Sequence, residues 1–127
     1  LTSEELVEIN NAVREIYLPD VVASYIARLV DGTHRGVSET ANSIKFGASP
    51  RAALGLAAAA KARALMAGRV NASFEDVADV AIPVLQHRII LEYEARIEGL
   101  SNRGVVEALL KEVPRQDMDL PATLKEA

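Results

Sequence analysis

The residues with the clearest chemical content lie in Lys45-Phe46-Gly47-Ala48-Ser49-Pro50-Arg51-Ala52-Ala53. Ser49 suits a helix N-cap, because its hydroxyl can accept a hydrogen bond from a free backbone N–H. Pro50 suits the first helical position, where its missing N–H is no loss. Arg51 then falls in the second position. The helix dipole makes that end positive, so a cation there is disfavoured by about 0.3–1 kcal/mol. The same helix end, with a guanidinium added, is a good place to hold an anion such as phosphate. The placement of Arg51 is a local conflict that a bound anion would resolve.

The other chemical groups give weaker leads. Arg103 follows Ser101 just as Arg51 follows Ser49, so position alone does not single out Arg51. Gly47 and the alanine-rich helix after Pro50 do distinguish the two. His34 sits in a polar stretch and reads as solvated, while His87 beside Arg88 reads as a cation at a helix end. Two histidines far apart, with no cysteine, give little support to a metal site. Nothing matches G-x-x-x-x-G-K-[ST], and no nucleophile-elbow pattern is present. Lys61, Arg63 and Arg69 read either as a solvated face or as a surface for an acidic neighbour. Glu92, Glu94 and Glu98 read as carboxylates facing water.

Composition narrows the class. With 127 residues, half of them hydrophobic, one domain with an aliphatic core is expected. A net charge of −4 argues against a general nucleic-acid binder. No run of about 18 apolar residues exists to span a membrane. Leu1-Thr2-Ser3-Glu4-Glu5-Leu6 has neither a signal-peptide nor a transit-peptide pattern. It lacks an initiator methionine and opens almost on a helix cap, which reads as a piece of a longer protein.

The elements that would carry Arg51 are mainly helical. Thr2 and Glu5 form a capping box, and Leu6, Ile9, Val13 and Ile16 recur at helical spacing, predicting a helix over about 3–16. A second helix follows Pro19 and Asp20, with Val22, Ile26, Leu29 and Val30, and stops near Gly32. Residues 31–43 read as a long polar loop. Ile44 and Phe46 predict a very short strand. The third helix runs from Pro50 to about Ala67 and stops at Gly68. Ser73 and Asp76 cap a fourth, which Pro83 is expected to break, opening a short helix to about His87. Residues 89–97 fit either a strand or a helix, with Ile89-Ile90 favouring a strand paired to 44–46. Ser101 caps a last helix to about Glu112. Residues 1–113 are read as one domain and 114–127 as a flexible tail. The expected fold is a compact, mainly α helical bundle with a very small two-stranded β element.

Gly47-Ala48-Ser49-Pro50-Arg51-Ala52 resembles the sensor-2 motif of MoxR-type AAA+ ATPases. Ala60-Lys61-Ala62, Gly68-Arg69 and Phe74-Glu75-Asp76-Val77 resemble the helix pair that follows it. Val84-Leu85-Gln86-His87-Arg88-Ile89-Ile90-Leu91 and Tyr93-Glu94-Ala95 resemble the family's histidine–arginine stretch. The likeness runs from about Leu1 to Pro114, in order. Arg96 stands where the family pattern has an acid, and 31–43 carries no matching motif.

The resemblance implies an AAA+ helical lid without the nucleotide-binding core. Arg51 would be the sensor-2 arginine and the catalytic group. Ser49, Pro50 and Arg51 would form the nucleotide contact, with ATP and magnesium bound in the full-length protein rather than tightly by this chain. It further implies a cytoplasmic ring, typically a hexamer, acting as a chaperone with von Willebrand factor A-domain partners. A free-standing helical interaction module remains the alternative. A small DNA-binding domain is disfavoured by the acidic balance.

Overall fold

The computed structural model describes residues 1–115. The elements follow one another as α1 (Ser3–Glu15), α2 (Asp20–Asp31), a single 3-10 turn (Thr40–Ser43), β1 (Ile44–Phe46), α3 (Pro50–Met66), α4 (Phe74–Leu85), β2 (Ile90–Leu91), α5 (Tyr93–Ile97) and α6 (Asn102–Glu112). The mainly α bundle with a tiny β element is therefore the observed architecture.

α3 is the central helix. Ala52, Leu56, Ala60 and Ala64, one turn apart, are all fully buried. Alanine leaves no bulk on that stripe, so α1, α2 and α4 all pack on α3. α2 contributes Val22, Tyr25, Ile26, Leu29 and Val30 to the same core, and α6 contributes Val105, Val106 and Leu109. Tyr25 meets Phe74 of α4 edge to face, with ring centroids 5.6 Å apart.

The strands pair antiparallel, with Ile44 opposite Leu91 and Phe46 opposite Ile90, and an irregularity between the two pairs. Glu92 N–H donates to the Ser43 carbonyl at 2.9 Å, closing the ribbon. The alternating pattern beyond Leu91 does not continue as strand. The chain turns at Glu92 into α5, which ends before Gly99 at φ +94°.

Pro83 does not break α4. The helix runs through it from Phe74 to Leu85, and no second helix forms to His87. Pro83 lies on the exposed side, and so does Asp79, whose carbonyl loses its usual N–H partner there. Water can satisfy that carbonyl, and only two helical residues follow the proline.

Three of the expected caps are present. The Thr2 and Ser73 boxes are reciprocal, and the Ser101 hydroxyl accepts from Gly104 N–H at 3.0 Å. α1, by contrast, buries none of its residues. Leu6 and Ile9 remain 49% and 46% exposed, so its apolar stripe is only half covered.

The loop at 31–43 is tied to α6. The Glu112 carboxylate accepts from the Glu39 N–H at 2.8 Å, from the Thr40 N–H at 3.3 Å and from the Thr40 hydroxyl. Pro114 and Arg115, the start of the expected tail, are also fastened: Arg28 Nε donates to the Pro114 carbonyl at 3.2 Å, and Arg28 Nη2 to the Arg115 carbonyl at 2.6 Å. The remainder of the expected tail, 116–127, lies outside the described residues.

Candidate functional site: the start of helix α3

The turn before α3 is built on the end of α2. Thr33 is buried, and its hydroxyl donates to the Val30 carbonyl at 2.6 Å. The same oxygen accepts from Ala48 N–H at 2.8 Å. Gly47 is required here by close approach rather than by its torsions. A Cβ at 47 would sit 2.6 Å from the Thr33 carbonyl oxygen and 2.8 Å from its hydroxyl. His34 completes the base. Its Nε2–H donates to the Ala48 carbonyl at 2.8 Å, which fixes the proton on that nitrogen. His34 is exposed, in line with the reading of it as solvated, and the hydrogen bond to Ala48 is an addition to that reading. Its ring edge faces solvent, but it braces the turn that leads into α3. The sequence offered no signal for this, because residues 34 and 48 meet only through the packing of α2 on α3.

Ser49 occupies the N-cap position with extended backbone, but its hydroxyl makes no capping bond. The Ala52 N–H, which a capping hydroxyl would take, donates instead to the Ser49 carbonyl at 2.8 Å. Pro50 is the first helical residue, as expected. Arg51 follows, exposed, and among the described residues it has no ion-pair partner. No acid lies in the first turn of α3. The structure thus brings Ser49, Pro50 and Arg51 together at an uncapped helix end that offers positive charge alone. Arg103 sits differently: its helix end is capped by Ser101, and neighbouring Asn102 is spent on the Gln86 and Ile89 carbonyls at 2.6 and 3.0 Å.

The other end of α3 is locked to α4 by charge. Asp76 is only 1% exposed, and its carboxylate takes both terminal nitrogens of Arg69 at 2.7 Å. Ser73 adds its N–H at 2.8 Å and its hydroxyl at 3.0 Å. The Arg69 guanidinium, assisted by the Ser73 bonds against the cost of burial, holds the Asp76 carboxyl down at about 2. Arg63 pairs with Asp79 at 2.7 Å and lies 3.8 Å from Asp76. Arg63 and Arg69 are therefore engaged inside the chain and are not a surface awaiting an acidic neighbour. Glu92 is likewise ion-paired, to Arg35, whereas Glu94 and Glu98 face water.

Among the described residues no cluster of three His, Cys, Asp or Glu side chains is placed to hold a metal ion, and no helix is long and apolar enough to cross a membrane.

The AAA lid domain family matches residues 37–109, more than half of the chain and the whole of the α3–α4 unit. This chain is an AAA lid domain. One of its relatives is a MoxR chaperone. The chain is 30% identical to Chaperone MoxR1 of Mycobacterium tuberculosis, across 100% of this chain and 37% of that protein. It is 27% identical to the uncharacterized protein YeaC of Bacillus subtilis, across 89% of this chain and 34% of that one. The crystal structure of a candidate ATPase from Cytophaga hutchinsonii superposes with a TM-score of 0.77 at 38% identity, over 82% of this chain and 33% of that one. The lid thus spans about a third of the length of the proteins it matches.

Proposed function

We propose that this lid serves a MoxR-type AAA+ ATPase by contributing Arg51 as a sensor-2 arginine to a nucleotide bound between lid and core. The observation that carries this reading is the α3 start itself. A guanidinium without an ion-pair partner among the described residues stands on an acid-free helix end, and Thr33, Gly47 and His34 brace that end. Such a device fits a phosphate.

ATP, bound to the core, supplies the phosphoryl group and the free energy of its transfer. The lid's part is to place positive charge at the terminal phosphate. The charge developing there is stabilised by a cation whose position is already fixed, so little reorganisation is needed. Arginines that meet a transferring phosphoryl group contribute about 10³–10⁵ in rate. A lid arginine does less, because part of its interaction goes into closing the lid on the ground state. Magnesium ligands belong to the core in this reading, since the α3 start presents a cation and backbone N–H groups rather than oxygen acids.

A ring oligomer, von Willebrand factor A-domain partners, chaperone-like work and a cytoplasmic setting belong to the same proposal, by family likeness. The half-covered stripe of α1 is a natural place for a protein neighbour. The test is Arg51→Ala in the polypeptide that carries the nucleotide-binding core. ATP turnover should fall sharply while the melting temperature holds. Unchanged turnover would remove the assignment.

A further inference from the structure

Arg51 is not the sole cation on its side of α3 that lacks an ion-pair partner among the described residues. Arg51 and Gly55 are one helical turn apart and share a face. The Arg88 Nη2 atom lies 3.8 Å from the point where a Cβ on Gly55 would be. The Arg88 guanidinium is therefore within ~10 Å of the base of the Arg51 side chain. Arg88 is exposed, and among the described residues it has no ion-pair partner.

The two segments that carry Arg51 and Arg88 are one-sided in charge. In a chain of net charge −4, residues 40–74 contain no Asp or Glu, and neither do residues 80–91. Those two segments supply α3 and the end of α4, which frame this face. Arg63 and Arg69 are neutralised by Asp76 and Asp79, at the far end of α3. What remains at the near end is Arg51 and Arg88, with Gly55 between them. A glycine inside a helix is unfavourable, and here a Cβ would meet only ordinary contacts, at 3.5 Å to Val84 and 3.8 Å to Arg88. Internal packing therefore does not require Gly55. Its effect is to let the Val84 and Arg88 side chains lie close over the backbone of α3, which holds Arg88 to the Arg51 face.

We propose that Arg88 is a second phosphate-binding residue of the lid, gripping the same nucleotide phosphate chain as Arg51. The inference rests on the nucleotide-facing reading of α3. Two separated cations with no acid between them suit a triphosphate, which spreads its charge along its length, better than a single carboxylate. Arg88 then acts mainly on binding, and Arg51 on turnover as well.

The experiment uses the full-length protein with Arg88→Ala, Arg88→Lys, Arg51→Ala and the double variant. The readouts are ATP and ADP affinity by calorimetry, steady-state KM and kcat, melting temperature, and assembly by light scattering. Arg88→Ala should weaken ATP by about tenfold and ADP less, raise KM more than it lowers kcat, and leave the melting temperature unchanged. Arg88→Lys should restore part of the affinity, and the double variant should lose less than the product of the two single losses. Unchanged ATP affinity in Arg88→Ala overturns the proposal. So does failed assembly with ATP affinity intact, which would assign Arg88 to a carboxylate of a neighbouring subunit. If Arg51→Ala slows turnover while Arg88→Ala does nothing, this inference falls and the Arg51 reading stands. If Arg88→Ala weakens ATP while Arg51→Ala leaves turnover unchanged, Arg88 keeps its role and the sensor assignment is the one lost.

Discussion

Asp76→Asn is the substitution whose consequence the structure defines most sharply. Asp76 is buried, and its carboxylate accepts two bonds from Arg69 and two from Ser73. Its carboxyl titrates at about 2 in the fold, against 3.8 for the free side chain. At pH values between these the unfolded chain binds more protons than the folded one, so stability rises with pH across that window. Each pKa unit corresponds to about 1.4 kcal/mol. The lowered carboxyl therefore contributes about 2 kcal/mol, complete above about pH 5 and mostly gone at pH 2. Asparagine keeps the shape but carries no charge, and one of its two polar atoms becomes a donor facing Arg69 and Ser73. The expected cost at pH 7 is about 2–4 kcal/mol, from the broken buried pair and the mismatched N–H groups. Urea titrations of both proteins at pH 7 and pH 2 read this directly. The difference in unfolding free energy should shrink by about 2 kcal/mol at the lower pH, while the effects of all other carboxylates cancel between the two proteins. A difference that stays constant with pH would refute the account of Asp76 as an ionised lock between α3 and α4.

Two further substitutions test the base of the site. Gly47→Ala drives a methyl carbon to 2.6 Å from the Thr33 carbonyl oxygen, so it should destabilise the fold by about 1–3 kcal/mol, read as a drop in the thermal midpoint, whereas the same change at a surface position should not. Thr33→Val keeps the volume but strands the Ala48 N–H, and should cost about 1–3 kcal/mol and speed hydrogen exchange at Ala48.

Much of this architecture was legible because its signals are local. The Thr2–Glu5 and Ser73–Asp76 boxes lie within four residues, so they mark helix starts directly. Pro50 at the first position of α3, and the short strands at 44–46 and at Ile90-Leu91, followed from equally short patterns, whereas the register of Ile44 on Leu91 did not. Pro83 misled because helix-breaking was argued without knowing which side of the helix the ring would face. Ser49 misled because its residue type fits a cap whose hydrogen bond its own carbonyl replaces. The bonds made by His34, Arg63 and Arg69, all of them exposed, were not legible for a different reason. Their partners (Ala48, Asp79 and Asp76) are brought to them by packing or by the α3–α4 turn, and spacing along the chain does not encode that. Arg88 carries no signal of its own in the sequence, where it stands only as the neighbour of His87. Only the contact across Gly55 brings it to the face that Arg51 occupies.

The central claim is that Arg51 meets a nucleotide phosphate. Its most direct test is the single-turnover rate of ATP hydrolysis in the full-length protein, comparing Arg51→Ala with Arg103→Ala. Both residues are exposed arginines in the second position of a helix, so the pair controls for charge and location alike. The account predicts a rate at least about tenfold slower for Arg51→Ala and an unchanged rate for Arg103→Ala, with both variants folded. Equal rates for the two variants would contradict it.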